Sequence, residues 1–149
     1  MDNAYANAVK SFAKDAEEFK KVLQSITDER DTFRNFYNLS WRYKGAYLPL
    51  AFFIKRIGKW CDKERRKLDE RVEVLEKICS IYAPIIDIAK KPDWEGETKA
   101  VIIRLLDELA SKLQKHKERM RDWHPILKNN LLNTGSAYSH AKSLCGLFQ

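Results

Sequence analysis

Apolar residues recur along the start of the chain at Tyr5, Val9, Phe12, Ala16, Phe19, Leu23, Ile26, Phe33 and Tyr37, with Arg30 the single polar residue in the series. The steps alternate between four and three residues, which keeps one stripe of a helix facing a partner over more than four heptads. No Gly or Pro precedes Gly45. The spacing therefore predicts one helix over residues 3–42, roughly 60 Å long at 1.5 Å per residue.

The pattern breaks between Lys44 and Pro49. Gly45 suits the end of the first helix, and Pro49 suits the first turn of the next. A second seam then runs through Ile54, Ile57, Cys61, Glu64, Leu68, Val72, Leu75, Ile78 or Cys79, Tyr82 and Ile86, and predicts a helix over 49–90. Pro84 falls inside it and should kink or end it, because proline removes a backbone donor and crowds the preceding turn. Residues 90–97 (KKPDWEGE) read as a loop. A third seam, Ile102, Leu106, Leu109, Leu113, His116, Met120 and Trp123, predicts a helix over 97–123. Pro125 interrupts it. The remaining apolar positions, Leu131, Leu132, Tyr138, Ala141, Leu144 and Phe148, suit shorter helical stretches over 126–132 and 136–147 around Thr134 and Gly135.

Short loops between long helices imply antiparallel neighbours. The predicted fold is all-α: a single domain over 1–149, an elongated antiparallel bundle of three long helices with a short C-terminal helical segment. Folding the chain about residue 47 sets position n on the first helix against about 94 − n on the second. Phe12 then meets Tyr82, Phe19 meets Leu75, and Arg30 faces Glu64, the charged residues of two otherwise apolar seams. An Arg30–Glu64 ion pair is the register expected of this hairpin; the plainer reading is that both side chains reach out to water.

Composition agrees with this picture. Five Gly and four Pro in 149 residues leave too few turns for a β-rich fold. Three cysteines, Cys61, Cys79 and Cys145, stand far apart with no C-x-x-C, and the N-terminal residues carry no signal-peptide pattern. Free thiols and an intracellular, cytoplasmic setting are expected. The longest apolar run, Ala46 to Ile54, is nine residues and contains Pro49. A spanning helix needs about 20. The apolar end at Leu147-Phe148-Gln149 reads as that of a piece of a longer chain.

Enzyme signatures are absent. No phosphate-binding glycine loop, no nucleophile elbow and no H-E-x-x-H occurs. No Glu is followed by His three residues later, as a di-iron bundle would require. His116, His124 and His140 are scattered, and His116 reads as a partly buried core histidine. Nothing near Cys145 argues for a lowered thiol pKa. The expectation is a protein with no catalytic residues, no metal and no cofactor.

Charge brings one region forward. The chain has a formal net charge of +7, and from Thr32 to Cys61 it contains no Asp or Glu at all. Those thirty residues hold Arg34, Arg42, Lys44, Lys55, Arg56 and Lys59. They also hold nine of the seventeen aromatics, among them Phe33, Phe36, Tyr37, Trp41, Tyr43, Tyr47, Phe52, Phe53 and Trp60. Lys63, Arg65, Arg66 and Lys67 extend the basic character beyond it, now with acids mixed in. The candidate partner-binding set is Arg34, Trp41, Arg42, Tyr43, Lys44, Tyr47, Lys55, Arg56, Lys59, Lys63 and Arg66.

Three ligand classes suit such a set. Aromatics and Arg are enriched where proteins dock, and an acidic or apolar protein partner is the leading expectation. Cations interleaved with aromatics also serve single-stranded nucleic acid, through phosphate contact and base stacking. Trp, Tyr and Lys suit an anionic membrane surface, and Ala46 to Ile57 is apolar enough for shallow insertion. A reading without any partner has Phe33, Tyr37, Phe53 and Trp60 filling the bundle end behind a solvated basic rim. A second cluster, Lys112, Lys115, Lys117, Arg119 and Arg121, is mixed with Glu118 and Asp122 and reads as an ordinary helix face. The continuous seams also suit self-association as a homodimer.

Overall fold

The computed structural model describes residues 2–42, 48–89, 97–132 and 137–148. It is all-α, as predicted. Helix α1 spans Asp2–Arg42, α2 Leu48–Ala89, α3 Glu97–Met120 and α4 Ala137–Phe148, with a π-helical turn at Leu127–Leu131. The expected turns at Gly45, at residues 90–96 and at Thr134-Gly135 lie outside the described residues.

Helix α2 does not end at Pro84 but continues to Ala89. The missing proline donor weakens one backbone bond, while Ile81, Tyr82 and Ile85 on either side are buried. Packing of that stretch outweighs one lost hydrogen bond. Helix α3 stops three residues short of expectation, at Met120, in a turn closed by Trp123 N–H donating to the Met120 carbonyl. His124 accepts the Ile126 N–H through Nδ1 at 3.2 Å, a side-chain cap ahead of the π-helical turn.

The contacts group into two compact units. One comprises Met1–Val22 with Leu75–Gln149, the other Leu23–Val74. In the first, four helical segments close a core of Phe12, Phe19, Val22, Leu75, Ile78, Tyr82, Ile85, Ile102, Leu106, Leu109, Leu113, Leu127 and Leu144. The Tyr82 ring lies between those of Phe12, at 4.7 Å, and Phe19, at 5.5 Å. The Phe12–Tyr82 contact is the one the fold-back arithmetic predicts. The buried stripe is wider than a two-helix seam, however. Val22 is buried where Leu23 was expected, Ile85 where Ile86 was expected, and Asp15 is buried beside Ala16. Helix α1 meets α4 here as well as α2, so the stripe broadens from the a/d pair towards the usual 100° face.

The second unit is an antiparallel pair made of α1 residues 23–42 and α2 residues 48–74. Phe33 meets Trp60 edge-on at 5.4 Å, one residue from the predicted pairing. The predicted Arg30–Glu64 ion pair does not form. Arg30 instead reaches Asp69 at 3.5 Å and Asp31 at 3.2 Å, while Glu64 pairs with Lys67 at 3.5 Å. Asp69 also accepts from Arg65 at 2.6 Å and lies 3.8 Å from Arg34. Arg30, Arg34 and Arg65 gather around the Asp69 carboxylate, while Glu64 is engaged by Lys67.

Candidate functional site

Beyond that acid–arginine collar, the Leu23–Val74 unit changes character. Ten large apolar side chains are exposed among the described residues, and eight of them lie between residues 36 and 60: Phe36, Leu39, Trp41, Leu50, Phe52, Phe53, Ile57 and Trp60. Phe52 is 65% and Phe53 60% exposed. Scattered exposed leucines are ordinary, but a contiguous apolar patch marks a binding surface. The expectation that Phe53 and Trp60 fill a core is therefore corrected; Phe33 and Tyr37, half-buried, come closer to it. Ile57, placed on the seam from sequence, is also exposed.

Helical geometry sorts the patch into two sides. Leu50, Phe53, Ile57 and Trp60 follow steps of three, four and three along α2, and share one stripe. Phe33 touches Trp60, and Phe36, three residues on from Phe33, lies on the same flank of α1. The other side carries a pocket of about 290 Å³ lined by Tyr37, Ser40, Trp41, Lys55, Gly58, Lys59 and Asp62. Tyr37 and Trp41 meet edge-on at 6.2 Å. Below it, Lys59, Lys63, Arg66 and Lys67 border a shallow groove with Asp62 and Glu70.

Gly58 sets how closely the two helices approach at this pocket. A Cβ there would stand 2.4 Å from Ser40 Oγ and 2.9 Å from Ser40 Cβ. The hydroxyl, which donates to the Tyr37 carbonyl at 2.6 Å, could rotate away; the Cβ could not. Gly58→Ala is expected to destabilise the protein by about 1–2 kcal/mol, because overpacking outweighs the helix propensity gained. Gly146→Ala is the control. Nothing lies within 4 Å of its built Cβ, so it should stabilise by about 0.5–1 kcal/mol. Thermal unfolding of both variants checks the opposite signs.

The structure divides the predicted cations. Arg34 lies 3.8 Å from Asp31 and from Asp69, and Arg66 lies 3.1 Å from Asp62. Arg65, in the basic run but outside the candidate set, makes the shortest pairs, at 2.8 Å to Asp62 and 2.6 Å to Asp69. The Asp62 hydrogen bond raises its pKa further. Arg42, Lys55, Arg56, Lys59 and Lys63 have no ion-pair partner among the described residues. Tyr43, Lys44 and Tyr47 lie outside the described residues.

Elsewhere the titratable groups serve packing. Burial raises all three thiol pKa values, that of Cys79 to about 11, and all three cysteines are free. His116 is half-buried, and its pKa is lowered by burial and then by Lys115, Arg119, Lys112 and Lys77. Among the described residues, no three His, Cys, Asp or Glu side chains gather to hold a metal ion, and no helix is long and apolar enough to cross a membrane. The pair that sequence reasoning missed is Asp15, 4% exposed and hydrogen-bonded to His140 Nδ1 on α4. Its signal was Asp15's place three residues after Phe12 and four before Phe19, on the apolar face. No protein-family model, curated protein or solved structure matches this chain.

Proposed function

We propose that this protein is a non-enzymatic helical interaction module, docking an acidic or apolar partner through the aromatic and basic end of its Leu23–Val74 hairpin. The observation that carries this reading is the concentration of exposed large apolar side chains between residues 36 and 60, in a stretch without a single acidic residue. Water-facing aromatics at that density oppose solubility unless a partner covers them. Arg42, Lys55, Arg56 and Lys59, without an ion-pair partner among the described residues, give that partner its preferred sign of charge. Three free thiols go with an intracellular setting for the module.

Reversing Arg42, Lys44, Lys55 and Arg56 together to Glu tests the proposal. The variant should keep its helical content and lose at least about tenfold in affinity for an acidic partner, equivalent to about 1.4 kcal/mol. Binding measured by co-sedimentation or fluorescence anisotropy, unchanged by all four reversals, would remove the basic end from the function.

A further inference from the structure

Resting on that docking role, we infer that the partner is the surface of an anionic lipid bilayer, into which the first turns of α2 insert to the depth of the headgroups and upper acyl chains. Three features of the hairpin end select a bilayer over a second macromolecule.

The first is how the apolar groups are spread. Residues along a helix are 100° apart, so Phe52, Phe53, Ile57 and Trp60 cover about 140° of the α2 circumference. All four are exposed, and Phe36, Leu39 and Trp41 of α1 are exposed as well. Trp41 lines the pocket on the side opposite the Phe33–Trp60 contact. A protein partner covers one face. A fluid apolar medium covers a tip from every side.

The second feature is the order of groups along the hairpin. Leu50, Phe52 and Phe53 lie toward its closed end, and Trp60 lies about 12 Å of helix rise above Phe52. The acidic residues begin only at Asp62, where the collar of Asp31, Asp62, Asp69 and their arginines closes off the apolar zone. With the hairpin entering tip-first, the phenylalanines lie deepest, the tryptophan reaches the headgroup level, where Trp is enriched, and the charged pairs stay in water.

The third feature is charge. Arg42, Lys55, Arg56 and Lys59 stand among the aromatics, where long aliphatic stems let the cationic heads rise to lipid phosphates. The same charges oppose a second copy of this chain, since two such ends face to face would bring together eight cations, these four from each copy. An anionic bilayer satisfies the cations and the apolar groups in one encounter.

The test is co-sedimentation of the whole chain with phosphatidylcholine vesicles and with vesicles containing phosphatidylserine. Poly-glutamate and a single-stranded oligonucleotide serve as soluble polyanions. The protein should bind the serine-lipid vesicles at least about tenfold more tightly than the neutral ones. Lys55→Glu with Lys59→Glu should abolish that preference. Phe52→Ser with Phe53→Ser, two exposed positions whose change leaves the core intact, should lower vesicle binding by about tenfold or more and leave polyanion binding unaltered. Vesicle binding unaffected by the phenylalanine changes overturns the inference, because it describes adsorption without insertion. Binding to a polyanion but to neither vesicle, lost with the lysine reversals, also overturns it and leaves the docking role standing. Binding to no probe overturns the inference, and the four-residue charge reversal then decides the docking role separately.

Discussion

Tyr82→Ala is expected to destabilise the protein by about 3–5 kcal/mol, the range for emptying a buried aromatic site. Tyr82→Phe should stabilise it by about 1 kcal/mol. The ring and the hydroxyl act in opposite directions. The ring is 1% exposed and sits between Phe12 and Phe19, where it gives α2 its aromatic contact with α1. The hydroxyl is buried without a hydrogen-bond partner among the described residues. Burial, then the nearby Asp15 and Cys79, raise its pKa well above that of a free tyrosine, so it stays a neutral hydroxyl. A domain is stabilised by only about 5–15 kcal/mol in total, so the alanine variant should unfold at a visibly lower urea midpoint. A phenylalanine variant less stable than wild type would show that the hydroxyl has a partner.

Asp15→Asn is expected to stabilise the protein at neutral pH by as much as about 3 kcal/mol, and to remove a pH dependence that wild type shows. The Asp15 pKa is raised from 3.8 to about 6, chiefly by burial, with the His140 hydrogen bond and charge partly opposing the rise. Glu18 adds slightly to the rise and Lys14 opposes it. The shift corresponds to about 3 kcal/mol at 1.36 kcal/mol per pH unit. The sign follows from linkage. Below about pH 4 folded and unfolded chains both hold the proton, and the group's contribution to stability is complete. Between about 4 and 6 the folded state holds more protons than the unfolded state, so stability falls as pH rises. Above 6 the loss is complete. The asparagine amide oxygen can still accept from His140, so α4 keeps its link to α1. Urea midpoints of both proteins at pH 4, 5, 6 and 7 should converge at the acid end and separate towards neutrality. Parallel curves would show that the ionised carboxylate is as well satisfied folded as unfolded.

The core was legible wherever a position's surroundings follow from its own helix. Phe12, Ala16, Phe19, Ile26, Cys61, Leu68, Val72, Leu75, Ile78, Tyr82, Ile102, Leu106, Leu109 and Leu113 lie on seams read from 4-3 spacing, and all are buried. The Phe12–Tyr82 contact followed from a fold-back about residue 47, and Phe33–Trp60 lies one residue from the pairing that fold-back gives. The choice of Asp69 over Glu64 did not follow from it, because backbone register does not fix which carboxylate a long arginine side chain reaches or which is already engaged, as Glu64 is by Lys67. Nor did the continuation of α2 through Pro84, since a local rule about proline cannot weigh the packing around it. Of the candidate site, the acid-free stretch was plain from composition. That its aromatics face water was not, because Phe53, Ile57 and Trp60 carry the same spacing as core residues.

The sequence by itself determined the helices, most of the apolar stripe of each and the polarity of the acid-free end. These are properties of residues a few positions apart, set by the 3.6-residue repeat and by where Gly and Pro stand. Only the tertiary structure decided which stripes are covered. Near Phe12 and Tyr82, segments of α3 and α4 complete a core and bury even Asp15. Among the described residues between 36 and 60, the same kind of stripe is left facing solvent. Burial belongs to the neighbours a stripe acquires, and a helix cannot encode those neighbours in its own period.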